Sequence, residues 1–253
     1  MIIKEKITIP GLSGKLKRRI YIYLPPDYEE SGARYPVMYM FDGHNVFFDK
    51  DATYGKSWGM YDYLKQHDPA LIIVAVECNS RGNRRLSEYS PWDFDEGYGL
   101  IKGRGKEYMD WTVHKLKPFI DSEFRTLSNR EYTYICGSSM GGLMTVYALT
   151  AYNEYFSKGA ALSPSLWCRP DLTLNMIHNS EPDPNTMLFM DYGSCELSNH
   201  SRMLSLLQET FIEFYQKKVF STLRIVPGGE HCEACWEEEI PVFMECLGIK
   251  SRK

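Results

Sequence analysis

The sequence predicts an α/β fold: a mostly parallel central sheet with helices on both faces and an antiparallel edge at the N-terminus. Three observations carry this. Short apolar runs alternate with stretches of helical spacing along most of the chain. Runs such as Leu71-Ile72-Ile73-Val74-Ala75-Val76 are continuously apolar, as strands covered on both faces are. The first two strand-like segments instead follow one another directly, as a hairpin does. With 253 residues, 43% of them hydrophobic, the chain suffices for one large core and hardly for two. Residues 1–253 therefore read as one domain.

In order, Lys4 to Pro10 and Lys17 to Leu24 form the antiparallel edge pair, the second stopped by Pro25-Pro26. Val37 to Phe41 is a buried strand running into Asp42-Gly43, and Leu71 to Val76 is the next. A helix is expected from about Tyr108 to Ile120, then a strand from Tyr132 to Cys136 and a helix from Met140 to about Tyr152. Strands at Gly159 to Leu162, Met187 to Met190 and Ser221 to Val226 alternate with helices near Leu172 to Ile177, Asn199 to Lys217 and Ala234 to Cys246. Residues 79–106 show no period. They hold Arg81, Arg84, Arg85, Trp92, Phe94 and Tyr98 among glycines and acids. So many aromatics argue for a structured insert over the active-site face, either walling a pocket or filling core under a long loop.

The charge balance of 29 basic and 33 acidic residues gives a net charge of -4, with no footprint for nucleic acid or an anionic membrane. No apolar run has the length of a membrane span, and Met1-Ile2-Ile3-Lys4-Glu5-Lys6 lacks the pattern of a signal peptide. Seven scattered cysteines read as free thiols, and a cytoplasmic location is expected.

The chemistry begins at Gly137-Ser138-Ser139-Met140-Gly141, which fits Gly-x-Ser-x-Gly only with Ser139 at the centre. A strand precedes it and a helix follows. That is the context in which a sharp turn lifts a serine hydroxyl above a sheet, as in the α/β-hydrolase fold. A chance match in a Gly-Ser loop would lack this context. A serine needs a base, and in this fold acid and base follow the serine in that order. His178 and His200 fall on or at helices, whereas His231 lies in Pro227-Gly228-Gly229-Glu230-His231, between the last strand and the last helix. It is the expected base. The acid lies in Asp191-Tyr192-Gly193-Ser194-Cys195-Glu196. Glu196, further into the loop, is better placed to reach an imidazole; Asp191, at the strand's end, has a competing use in capping the loop. The amides of Met140 and His44 are the expected oxyanion donors, the latter from the loop Phe41-Asp42-Gly43-His44-Asn45, with the His44 side chain peripheral. Cys232 and Cys235 form Cys-x-x-Cys, but no second ligand pair supports zinc and the position is wrong for a thioredoxin-like motif.

These motifs resemble the Putative esterase family of the α/β-hydrolase superfamily, which includes enterochelin, feruloyl and acetyl-xylan esterases, the esterase D-like S-formylglutathione hydrolases and mycolyltransferases. The likeness spans nearly the whole chain. Its carriers are Tyr23-Leu24-Pro25-Pro26-Asp27-Tyr28, Phe41-Asp42-Gly43-His44-Asn45, Arg85-Leu86-Ser87-Glu88-Tyr89-Ser90-Pro91, Gly137-Ser138-Ser139-Met140-Gly141-Gly142-Leu143, Ala161-Leu162-Ser163-Pro164-Ser165-Leu166-Trp167 and Gly228-Gly229-Glu230-His231 with Trp236. The resemblance implies Ser139 as nucleophile, His231 as base, Glu196 as acid, and His44 and Met140 as oxyanion donors. It also sets Arg85 and Trp167 near a substrate pocket, to which the aromatic insert adds Trp92.

The expectation is a serine carboxylesterase cleaving a small-molecule ester of a bulky or polar alcohol or acid of carbohydrate, feruloyl or siderophore type. It would work through a Ser-His-acid triad and an acyl-enzyme, without metal or organic cofactor. An acyltransferase of the same fold and a non-catalytic carbohydrate- or peptide-binding member are the alternatives. Oligomeric state, a homodimer included, is left open.

Overall fold

The computed structural model describes residues 1–95, 97, 99–196 and 200–253. Tyr98 and Asn199, and the side chain of His200, lie outside the described residues. Eight strands form one sheet: β1 (Ile2–Thr8), β2 (Lys17–Tyr23), β3 (Val37–Met40), β4 (Ile72–Val76), β5 (Thr133–Ser138), β6 (Lys158–Leu162), β7 (Met187–Gly193) and β8 (Phe220–Val226). Their spatial order is β1-β2-β4-β3-β5-β6-β7-β8. β1 pairs antiparallel with β2, and β2 with β4; every later pairing is parallel. The expected antiparallel N-terminal edge and parallel body are both present.

The period of two along each strand builds two core layers. Ile20, Ile22, Val37, Tyr39, Ile72, Val74 and Val76 face one layer. Tyr21, Tyr23, Met38, Met40, Ile73 and Ala75 face the other. The first is covered by the helices Gly105–Trp111, Met140–Ala151, Pro170–His178 and His200–Gln216. The second is covered by Met60–His67 and the C-terminal helix Glu233–Cys246. The helix Met60–His67 was not legible in the sequence. It spans two turns and buries only Met60 and Leu64, an i, i+4 pair too brief to register as a period. The expected helix from Tyr108 to Ile120 exists, but a π-turn over Thr112–Leu116 joins its two halves just ahead of Pro118.

The described residues of the insert contain a short helix, Arg84–Glu88, and an antiparallel bridge between Phe94 and Ile101. A buried ion pair, Arg18 with Glu88, fastens it to β2. Removing one partner of such a pair typically costs about 3–5 kcal/mol, because the other charge is left buried.

Candidate active site

β5 ends in a turn that only small neighbours allow. Ser139 has φ 58° and ψ -122°, a strained conformation for a residue with a side chain. A Cβ on Gly137 would meet the Gly141 backbone and the Phe41 ring at 2.8 Å, and one on Gly141 would meet Phe41 at 2.9 Å. The turn is pinned by the Ser139 N–H donating to Leu162 O (2.9 Å) and the Ser165 N–H donating to Ser139 O (3.0 Å). Met140 begins the helix that follows, so its N–H has no acceptor within that helix. Ser165 brings its hydroxyl to 3.4 Å from that of Ser139.

The loops after β7 and β8 carry the next two groups. They are stitched together by Ser194 N–H to Val226 O and Cys195 N–H to Gly229 O, both 2.9 Å. His231 Nδ1 lies 2.8 Å from Glu196 Oε2, which leaves the imidazole Nε2 as its second working atom. Glu196 Oε1 accepts the Ser163 hydroxyl (2.5 Å) and the Gly193 N–H (2.9 Å). All three interactions hold a carboxylate that is only 3% exposed. Asp191, the alternative acid, is turned elsewhere. It pairs in register with Leu162 and Arg224 and accepts the Ser163 N–H (2.8 Å). Burial pushes its carboxyl well above the usual range.

Two residues in this network, read in the sequence only as carriers of the family resemblance, were given no site role there. Ser163, with φ 44°, gives its hydroxyl to Glu196 and receives the Trp236 indole N–H (2.9 Å). Trp236 in turn sets its ring edge-on to His231, with centroids 5.1 Å apart. His231, Glu196, Ser163 and Trp236 thus form a closed ring of contacts. The signal was available in the run Ala161-Leu162-Ser163-Pro164-Ser165 after a parallel strand, but a serine there has no distinguishing local pattern.

After β3, Asp42 takes a left-handed conformation (φ 52°) and opens the short 3-10 turn Gly43–Asn45. A Cβ on Gly43 would lie 2.5 Å from the Ala75 carbonyl, so this turn can sit against β4 only with glycine there. Arg85 donates to both Asp42 oxygens, from Nε at 2.8 Å and Nη2 at 2.7 Å, and Tyr89 Oη accepts the Asp42 N–H at 3.2 Å. Burial works against the Asp42 carboxylate. The charge and hydrogen bonds of Arg85 overcome it, so the group titrates below its ordinary value. The pair holds the turn that presents the His44 amide. The His44 side chain is buried, with Nε2 3.0 Å from Thr53 Oγ1, and burial pulls its pKa down.

These groups share a cleft of about 770 Å³ lined by Asp42, His44, Trp58, Arg85, Ser139 and His231, among others. Asn45 Nδ2 donates to Glu233 Oε1 (3.0 Å), linking the turn after β3 to the start of the C-terminal helix, and burial raises the Glu233 pKa. Trp92 and Trp167, expected at the substrate pocket, do not line this cleft. Trp92 packs edge-on against Tyr147 and Phe94 edge-on against Trp167, with Phe94 in the core. Among the described residues, Trp92 and Phe94 of the insert pack with the core, and its part that reaches the cleft is the first, around Ser80, Gly82 and Arg85. Among the described residues, Asp42, His44 and Cys78 bring donor atoms within 4.8 Å of one another. Both Asp42 oxygens serve Arg85, whose positive charge opposes a cation there. No helix among the described residues is long and apolar enough to cross a membrane.

A serine on a strained strand-to-helix turn above a parallel sheet, on a cleft shared with a carboxylate-bound imidazole, is the arrangement found in serine hydrolases of the α/β-hydrolase fold. The family model described as "Putative esterase" matches residues 13–242, and the chain belongs to that family. It is a serine esterase, an enzyme acting on carboxylic esters. Among its relatives, "Uncharacterized protein YbbA" of Bacillus subtilis (strain 168) is 27% identical over 183 residues, covering 71% of this chain and 69% of that protein. The BES protein from Bacillus cereus superposes with a TM-score of 0.73 at 20% identity, over 100% of this chain and 95% of its own. The enterobactin and salmochelin hydrolase IroE does so with 0.69 at 19% identity, over 98% and 94%.

Proposed function

We propose that the protein hydrolyses small-molecule esters of a bulky or polar alcohol or acid through a triad of Ser139, His231 and Glu196. The observation that carries this is the 2.8 Å contact of His231 Nδ1 with Glu196, on the same cleft as the strained Ser139. In the forward step Ser139 Oγ attacks the ester carbonyl and its proton passes to His231 Nε2. Glu196 holds the ring and stabilises the imidazolium. The carbonyl oxygen becomes an oxyanion facing the amides of His44 and Met140, donors already fixed by the 3-10 turn and the helix start. Collapse expels the alcohol, protonated by His231, and leaves an acyl-serine; water repeats the sequence to free the acid.

The cleft supports a polar or ring-bearing substrate, since Trp58, Tyr54, Thr53 and Lys56 line it beside the reacting groups. The name of one structural neighbour, a siderophore hydrolase from Aspergillus nidulans, points the same way. The test is a burst of p-nitrophenol from acetyl and butyryl esters, expected in the wild type and absent in Ser139→Ala, followed by a panel of feruloyl, acetylated-sugar and catecholate-siderophore esters. A Ser139→Ala enzyme that retains the burst overturns the nucleophile. A panel on which only simple acyl esters react overturns the substrate class. Acyl transfer to added sugar alcohols in preference to water would make the enzyme a transferase.

A further inference from the structure

The Cys-x-x-Cys pair that the hydrolytic chemistry does not use lies against its working parts. Cys232 directly follows His231 and occupies the N-cap of the C-terminal helix, with Cys235 one turn on. Their sulfurs are 3.6 Å apart, and both are free thiols. The two sit on opposite sides of the histidine's support. Cys232 lines the cleft of Ser139 and His231, whereas Cys235 lines a separate small pocket walled by Glu196, Ser163, Asp191 and Trp236. Cys235 Sγ also accepts the Glu230 N–H at 3.2 Å, so His231 is flanked in sequence by a residue tied to one thiol and by the other thiol itself. The same residues do not make a metal site, because His231 Nδ1 is committed to Glu196.

We propose that Cys232 and Cys235 form a thiol–disulfide couple whose oxidation switches the esterase off; this rests on His231 and Glu196 acting as base and acid. The co-reactant class is a low-molecular-weight disulfide. The Cys232 thiolate, the one facing the cleft, attacks a sulfur of that disulfide, forming a mixed disulfide and expelling one thiolate. The Cys235 thiolate then attacks the Cys232 sulfur and expels the second. Two protein thiols are oxidised, one small disulfide is reduced, and the two protons end on the two small thiols. Residues three apart on a helical turn have Cβ atoms about 5–6 Å apart, a little beyond the roughly 3.5–4.5 Å of a disulfide. Closure therefore needs a local shift of this first turn, not refolding, to bring the sulfurs from 3.6 Å to about 2 Å. That movement draws Cys235 away from the Glu230 amide and from the wall behind Glu196, and the loop between them is the one that carries His231.

The experiment equilibrates the wild type with reduced and oxidised glutathione. It follows thiol content, the Cys232–Cys235 linkage by non-reducing peptide mass mapping, and p-nitrophenyl butyrate turnover. Expected are loss of two titratable thiols, a mapped Cys232–Cys235 bond, and a fall in turnover of about 100-fold, the cost of displacing a reacting group by about 1 Å. Dithiothreitol should reverse all three. Cys235→Ser, which keeps an acceptor for the Glu230 amide, should retain basal turnover and, lacking the resolving thiol, should stop at a glutathione adduct on Cys232 visible by mass. Cys232→Ser, lacking the attacking thiol, should form neither adduct nor bond and keep its own turnover in oxidised glutathione. The proposal is overturned if no Cys232–Cys235 bond maps in the wild type, if the bond forms with turnover intact, or if Cys232→Ser loses turnover in oxidised glutathione as the wild type does. Mapping is read without turnover. A reduced wild type inactive on every ester would therefore count against the esterase reading, while the linkage would still be tested.

Discussion

Replacing Glu196 with glutamine tests the acid through a consequence of hydrogen-bond direction. Glu196 Oε1 accepts from Ser163 and Gly193, and Oε2 meets His231 Nδ1. A glutamine keeps one acceptor oxygen, and the two donors on the Oε1 side claim it. Its amide N–H is then aimed at Nδ1, which must become an acceptor, so the ring proton moves to Nε2. A ring protonated there cannot take the Ser139 proton. The analogous acid-to-amide change in a serine protease triad costs about 10⁴-fold in kcat, equivalent to about 5 kcal/mol of barrier. Asp191→Asn should leave kcat unchanged, since an asparagine oxygen still accepts the Ser163 N–H. It should also stabilise the fold increasingly as pH rises. Burial raises the Asp191 pKa above its unfolded value, so its ionisation costs folding free energy as pH climbs from acid toward neutral, and asparagine removes that cost. Steady-state kinetics on p-nitrophenyl butyrate and urea unfolding at pH 4 and pH 7 measure both. Glu196→Gln within tenfold of wild type, with Asp191→Asn severely impaired, would refute the reasoning.

Two further substitutions probe the supports. Ser163→Ala removes a hydrogen bond to Glu196 and strands the buried Trp236 N–H; stability should fall by about 1–3 kcal/mol in thermal or urea unfolding, and the acid limb of the kcat/KM profile should shift, which a purely structural role would not cause. Arg85→Met leaves Asp42 buried without its counter-charge and loosens the turn bearing His44. Its turnover should drop by about 10²-fold, as when one oxyanion donor is lost. Because Arg85 holds the Asp42 pKa below its unfolded value, the stabilisation is present above about pH 4 and lost as pH falls through the depressed value. Wild type and Arg85→Met should therefore converge in urea stability as pH falls below the ordinary carboxylate range.

What the sequence disclosed follows from what is local. The elbow glycines, the apolar strands and the position of His231 between strand and helix each leave a mark within a few residues. The strand order did not, since β4 lies between β2 and β3 through contacts distant in sequence. The pairing of Arg85 with Asp42, across 43 positions, was equally invisible. The aromatics of the insert were ambiguous for the same reason. Trp92 and Phe94 have the composition of a pocket wall, and only the neighbours Tyr147 and Trp167 make them core.

Trp236 shows why the missed residues matter to chemistry. It belongs to the core layer beneath the C-terminal helix, packs 5.9 Å from Trp58, touches the His231 ring and donates to Ser163. The imidazole is thus set by packing on one face of the sheet, while Glu196 is set by the loop after β7. Ser163, at the end of β6, joins the two. A change that relaxes the packing of Trp58 on Trp236 would move the proposed base directly and reach the proposed acid only through Ser163. In the proposed triad, core packing and proton transfer are parts of one geometry.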